Sequence, residues 1–180
     1  MLTCDNLYFR RPTSGDAAMI CELKNNEKAA LLLGGVHHTY TVADIERWIE
    51  FHNNNPEEVL LVVEDTERGK LIGHVGLYKI DNVAKKTEYG ILLADDDSRG
   101  KGYGTKATKT MIDYAFNKLG MHKVTAEVLS ENAASIAMFK KCGFSIDGCM
   151  RDDVFKNDRY YDVLSMSIIE SDYINERIRI

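Results

Sequence analysis

Asp97-Ser98-Arg99-Gly100-Lys101-Gly102-Tyr103-Gly104-Thr105 is the stretch around which the chain is organised. Three glycines at alternate positions, flanked by Arg99 and Lys101, run straight into an amphipathic segment from Thr105 to Leu119. Glycine takes positive φ without a Cβ clash and lets the backbone approach a ligand closely. The first N–H groups of a following helix have no internal partner and lie at the positive end of its dipole. A glycine-rich turn feeding a helix start is therefore an anion site, suited to a phosphate or pyrophosphate. The plainer alternative is a surface turn with no ligand, since short glycine patterns recur by chance.

Working outward, three runs precede the loop. Val59 to Glu64, Leu71 to Ile80 and Lys86 to Ala94 read as strands joined by the polar turns Asp65–Lys70 and Asp81-Asn82, which predicts an antiparallel meander. Gly73 and Gly76 inside the second run point to a bulge or a close backbone approach. After the loop, Gly120 ends the long helix and Lys123 to Leu129 forms a strand. A helical crossover makes that strand parallel to the one before the loop. Asn132 caps a helix through about Lys141, stopped by Gly143. Phe144–Cys149 and Tyr160–Ile168 form a closing hairpin turned at Asn157-Asp158.

Upstream of the meander, Leu7–Arg11 reads as a first strand ended by Pro12. Thr13 or Ser14 caps a helix to about Lys24, and Ala29–Leu33 adds a helical turn. Thr41-Val42-Ala43-Asp44 is a capping box opening a helix through about His52, with Ile45, Trp48, Ile49 and His52 on one side. The reading is one α/β domain over residues 1–180, a mixed, mainly antiparallel sheet of six to seven strands flanked by helices.

Composition bounds the function. At 44% hydrophobic and 28% charged residues the 180-residue chain is a globular protein with a sizeable core. The net charge of −5, with no basic stripe, argues against nucleic-acid binding. The apolar runs are too short for a membrane span, and Met1–Arg10 lacks a leader's apolar segment, so no membrane role and a cytoplasmic location are expected. Cys4, Cys21, Cys142 and Cys149 have no paired spacing, so neither a disulfide framework nor a metal site is expected.

Walker and dinucleotide fingerprints fit the loop poorly, because Lys101 is followed by Gly102 and the glycines run G-x-G-x-G. Arg99-x-x-Gly102-x-Gly104 resembles instead the acyl-CoA loop of the GNAT superfamily of acetyltransferases. Ser130-Glu131-Asn132-Ala133-Ala134-Ser135-Ile136 and Phe139-Lys140-Lys141-Cys142-Gly143-Phe144 follow in the order of that family. Gly148-x-x-Arg151-Asp152, Asn157-Asp158-Arg159-Tyr160-Tyr161-Asp162 and the opening Leu7–Pro12 with Asp16 resemble its RimJ/RimL-type branch. The resemblance covers nearly the whole chain and implies a GNAT-like domain.

It also implies a chemistry, direct transfer of an acetyl group from acetyl-CoA to a primary amine. The backbone of Arg99, Gly100, Lys101, Gly102, Tyr103, Gly104 and Thr105 holds the pyrophosphate. Leu92, Leu93 and Ala94 present backbone to the pantetheine arm and the thioester carbonyl, where aimed donors stabilise an oxyanion. Glu88 corresponds to the family's general base, acting directly or through water, against the alternative of an exposed strand carboxylate. Many relatives have Tyr where Phe139 stands, so the proton donor to the leaving thiolate falls to Ser135, with Asn132 contacting pantetheine or serving only as an N-cap. Tyr103 is expected to face the phosphate end. The acceptor stays open between a protein N-terminus, a polyamine and another small amine, and a homodimer is compatible with the reading. The competing readings are a non-catalytic acyl-CoA sensor and a nucleotide-phosphate binder.

Overall fold

The computed structural model describes residues 2–32, 38–93 and 101–178. Eight strands form one sheet in the order β1-β2-β3-β4-β5-β6-β8-β7. They are β1 (Leu2–Cys4), β2 (Leu7–Arg10), β3 (Val59–Asp65), β4 (Lys70–Asp81), β5 (Lys86–Leu93), β6 (Lys123–Leu129), β7 (Ser145–Lys156) and β8 (Arg159–Ile169). The helices are α1 (Ala17–Asn25), α2 (Glu27–Leu32), α3 (Val42–Asn54), α4 (Tyr103–Asn117), α5 (Ala133–Lys141) and α6 (Glu170–Ile178).

The meander from β3 to β5 is antiparallel, and β5 and β6 run parallel, as the spacing predicts. The expected six to seven strands become eight among the described residues, because Leu2–Cys4 pairs with Leu7–Phe9 across an Asp5-Asn6 turn. Asp5 there takes φ 50, and three residues are too few to show an alternation in sequence. The C-terminal helix α6 and the full length of β7 also exceed the expectation. The β7–β8 hairpin turns on Asn157 and Asp158, both at positive φ, the geometry a two-residue hairpin demands.

Each side of the sheet has its own core. Leu77, Tyr89, Val124 and Met166 face α4 and α5, whose Ala107, Met111, Ile112, Phe116 and Phe139 are buried against them. Burying each such large apolar side chain contributes about 1.5–3 kcal/mol. Val62, Leu71 and Leu92 face the opposite way, onto Ala17, Ile20 and Leu23 of α1 and Ile45 and Ile49 of α3. The α3 box forms as expected: Thr41 Oγ1 accepts from the Asp44 N–H at 3.2 Å, and the Asp44 carboxylate accepts from the Thr41 N–H at 2.8 Å. Arg10 bridges Asp16 at 2.7 Å and Glu64 at 2.5 Å, joining the start of α1 to β3 and holding the Asp16 carboxyl down at about 2. None of the four cysteines is in a disulfide, and Cys149 lies exposed on β7.

Candidate active site

Glu88 marks the point where the sheet divides. β5 and β6 pair at Lys86↔Lys123, Thr87↔Val124 and Glu88↔Thr125, and no further among the described residues. Beyond that point β5 continues on β4 to Leu93, while β6 continues on β8 to Leu129. The two halves part and, among the described residues, the β6-facing edge of Tyr89–Leu93 has no strand partner.

At the far end of this cleft the chain enters α4. Gly102 caps it in the left-handed region, φ 75 and ψ 9, and its carbonyl accepts from the Lys106 N–H at 2.9 Å. Lys101 and Gly102 are exposed, and Gly104 and Thr105 lie in the first helical turn. Ala94, Arg99 and Gly100 fall outside the described residues. The glycines of the turn have different duties. Gly102 supplies positive φ. A Cβ on Gly104 would sit 3.0 Å from Met138 Sδ, so that glycine lets α4 lie against α5. The Tyr103 side chain departs from expectation. It turns inward and donates to the Asp65 carboxylate at 2.6 Å. Tyr103, Asn6 and the Glu67 N–H together hold that buried carboxylate below its usual range, tying the start of α4 to the β3–β4 turn.

Across the cleft, Asn132 caps α5, its Oδ1 accepting from the Ser135 N–H at 3.1 Å. Its Nδ2 donates to the Leu32 carbonyl at 3.2 Å, so this amide also anchors the end of α2. Lys156 Nζ donates to the neighbouring Leu31 carbonyl at 2.8 Å. Ser135 is half-buried in the first turn of α5. Phe139 is buried edge-on to Tyr89 and Phe144, with centroids 6.1 Å and 4.9 Å away. The Tyr89 hydroxyl lies 3.2 Å from Thr108 Oγ1 beneath it, and burial drives that phenol's pKa up.

Glu88 is half-buried and accepts from Lys79 Nζ at 2.7 Å. It shares its face of the sheet with Gly90 and Leu92 on β5 and, by register, with Tyr78, Gly76 and His74 on β4. The Tyr78 ring lies across the paired glycines. A Cβ on Gly76 would come 2.3 Å from Tyr78 Cζ, and one on Gly90 3.0 Å from Cε2. His74 is buried, and among the described residues neither of its ring nitrogens has a hydrogen-bond partner. Trp48 packs on His74 with centroids 5.2 Å apart, and Lys24 Nζ stands 4.3 Å from the Trp48 ring centroid. His52 of α3 bonds Glu58 through Nδ1 and packs edge-on against Tyr78.

Sequence reasoning placed Trp48 in the core, where it packs partly buried against the α1–α3 cluster, and did not bring Lys24, His74 and Tyr78 to this face. A histidine amid the apolar run Leu71–Ile80 was the one available signal. Its meaning needs the β4–β5 register and a helix more than twenty residues upstream.

The Acetyltransferase (GNAT) domain family model matches residues 6–145. A Vibrio cholerae spermidine N(1)-acetyltransferase is 31% identical over 170 residues, covering 94% of this chain and 96% of that protein. Among solved structures, spermidine N-acetyltransferase from Vibrio cholerae in complex with CoA and spermine superposes with a TM-score of 0.86 at 30% identity, covering 96% of this chain and 100% of that one. A dodecameric structure of the Vibrio cholerae enzyme gives a TM-score of 0.81 at 30% identity, covering 96% and 99% of the two chains. These relatives carry spermidine in their names, and they do not single out the RimJ/RimL-type branch expected from the sequence.

Proposed function

The chain belongs to the GNAT acetyltransferase family, and from that membership we propose that it transfers the acetyl group of acetyl-CoA directly to a small primary amine at the β5–β6 cleft. The observation that carries the reading is the parallel β5–β6 pairing that ends at Glu88 while a glycine-capped helix opens at the cleft's other end. An extended pantetheine arm suits the unpaired edge of β5, and the cap of α4 suits its pyrophosphate. Lys101, Gly102, Tyr103, Gly104 and Thr105 contribute backbone there, with Arg99 and Gly100 joining from the loop. Tyr103 contributes through its backbone alone, since its hydroxyl is committed to Asp65.

An amine is protonated at neutral pH and cannot attack until it loses that proton. Glu88, beside the point where the strands part, takes it directly or through a water. Lys79 Nζ donates to the Glu88 carboxylate at 2.7 Å and fixes its position on the strand. Attack on the thioester carbonyl places negative charge on its oxygen, which the backbone of Leu92, Leu93 and Ala94 stabilises. When the tetrahedral intermediate collapses, the carbon–sulfur bond breaks and the thiolate needs a proton. Phe139 has none to give, and Ser135 is the donor we assign. Asn132 fixes Ser135 by bonding its N–H, which makes Asn132 a positioning residue.

Spermidine and spermine head the acceptors to be tested, followed by peptides with free N-termini. RimJ/RimL-type placement rests on the Gly148–Asp162 hairpin motifs and favours the peptides. The experiment follows CoA release over this panel with wild type and Glu88→Gln. The proposal expects turnover by wild type, a loss of ~10²–10⁴-fold in kcat for Glu88→Gln, and an unchanged affinity for acetyl-CoA. Equal activity of the two proteins removes Glu88 as the base. Tight acetyl-CoA binding with no turnover on any amine returns the chain to the sensor reading.

A further inference from the structure

Proceeding from the acetyltransferase reading, we propose that Lys24 and His74 form an anion subsite on the acceptor side of the sheet, and that the acceptor is an amine carrying a carboxylate. With Glu88 as base and the Leu92 backbone at the thioester, the reacting amine sits over this face, between the two residues and on the Tyr78 ring that covers Gly76 and Gly90. Gly90 pairs with Gly76, and His74 is the next residue of β4 on the same face, about 7 Å along the strand. A short amino acid spans that distance.

Charge and hydrogen-bonding capacity on this face are out of balance in one direction. The Lys24 ammonium is held over the Trp48 and Tyr40 rings at 4.3 Å and 5.3 Å, and among the described residues it has no carboxylate partner and no hydrogen-bond acceptor. His74 presents a ring with neither nitrogen satisfied, 7% exposed. The two carboxylates that act on the neighbouring Tyr78 are already engaged, Glu58 by His52 and Glu88 by Lys79. Burial lowers the Lys24 pKa, and the Lys24 charge helps to keep His74 neutral. A neutral imidazole still donates one N–H, and an ammonium donates three. A carboxylate answers both deficits, whereas an ammonium group of a polyamine placed here would meet the Lys24 cation. Trp48 and Tyr78 provide flat apolar surface for a methylene stem between the two ends.

The test compares acceptors of equal length, 5-aminopentanoate against 1,5-diaminopentane, with spermidine alongside, in wild type, Lys24→Met and Lys24→Arg. Steady-state kinetics by CoA release are read together with calorimetric binding of 5-aminopentanoate. Melting temperatures establish that each variant is folded. The amino carboxylate is expected to exceed the diamine at least tenfold in kcat/KM. Lys24→Met should raise its KM about ten- to hundredfold with a much smaller change in kcat. The KM for acetyl-CoA should not move, and Lys24→Arg should keep most of the affinity. Preference for the diamine or spermidine, or an unchanged KM in Lys24→Met, overturns the subsite. If no amine is acetylated, the acetyltransferase reading fails by itself and binding decides the subsite. Binding of 5-aminopentanoate that disappears in Lys24→Met then upholds it, and no binding to wild type overturns it.

Discussion

At the scale of single residues, the face of the sheet that carries Glu88 is built from groups in unusual states. His74 is the clearest case, because burial and the Lys24 charge hold its pKa down at about 3. Above pH 6.5 the imidazole is neutral in both folded and unfolded chains and does not affect stability. As pH falls below 6.5 the unfolded chain takes up a proton that the folded chain refuses. Stability therefore declines by up to about 1.4 kcal/mol per pH unit until the folded-state value is reached. Replacing His74 by Leu should flatten the pH dependence of the denaturant midpoint between pH 6 and 4. An unchanged slope would show that the ring is protonated inside the fold. Glu88 and Ser135 were singled out by the resemblance to the GNAT family, local pattern giving only a strand carboxylate and a hydroxyl at a helix start. Their engagement with Lys79 and Asn132 could not be read that way.

At the scale of elements, close approach of backbones decides where the cleft opens. A Cβ on Gly73 would lie 2.2 Å from the Leu92 carbonyl oxygen and 2.7 Å from Leu93 Cα, so β4 crosses the end of β5 with no room for a side chain. Gly73→Ala should cost about 1–3 kcal/mol or more, since only backbone movement relieves the clash. It should also raise the KM for acetyl-CoA by displacing the Leu92–Leu93 edge. Gly76→Ala meets the Tyr78 ring instead. Its loss of stability should be partly recovered in the double variant with Tyr78→Ala, a coupling measurable by a double-mutant cycle. No recovery would mean that the ring is not the obstacle. The strand glycines announced some close approach in the sequence, but not which neighbour required it.

At the scale of the whole molecule, the two cores share one sheet, and the cleft lies where that sheet divides. Acetyl-CoA engages both β5 and α4 in this reading, so binding should stabilise the domain as a unit. At a hundredfold excess over Kd the gain is about 2.7 kcal/mol, or roughly 5–10 °C in Tm for a chain of this size. ATP at the same concentration should give no comparable shift, and an equal shift would favour the nucleotide-phosphate reading. A dodecameric assembly is known for a structural relative. In this chain Ile146, Phe155 and Tyr160 lie exposed on the β7–β8 hairpin, and light scattering is the measurement that decides whether this face associates.

By itself the sequence determined the features that arise within a few residues of one another. Thr41 and Asp44 form their box, Asn132 caps α5, Lys123–Leu129 is a strand, and the crossover through α4 makes it parallel to β5. Hydrogen bonds that close over three residues and alternations of period two are local, so a single stretch specifies them. Tertiary structure alone decided what those elements bring together. Tyr103 points to Asp65, 38 positions away, and Gly104 makes room for Met138. Lys24, Trp48 and His74 meet because α1 and α3 pack on one face of β4. Such contacts depend on strand register and helix packing, and no local pattern encodes them.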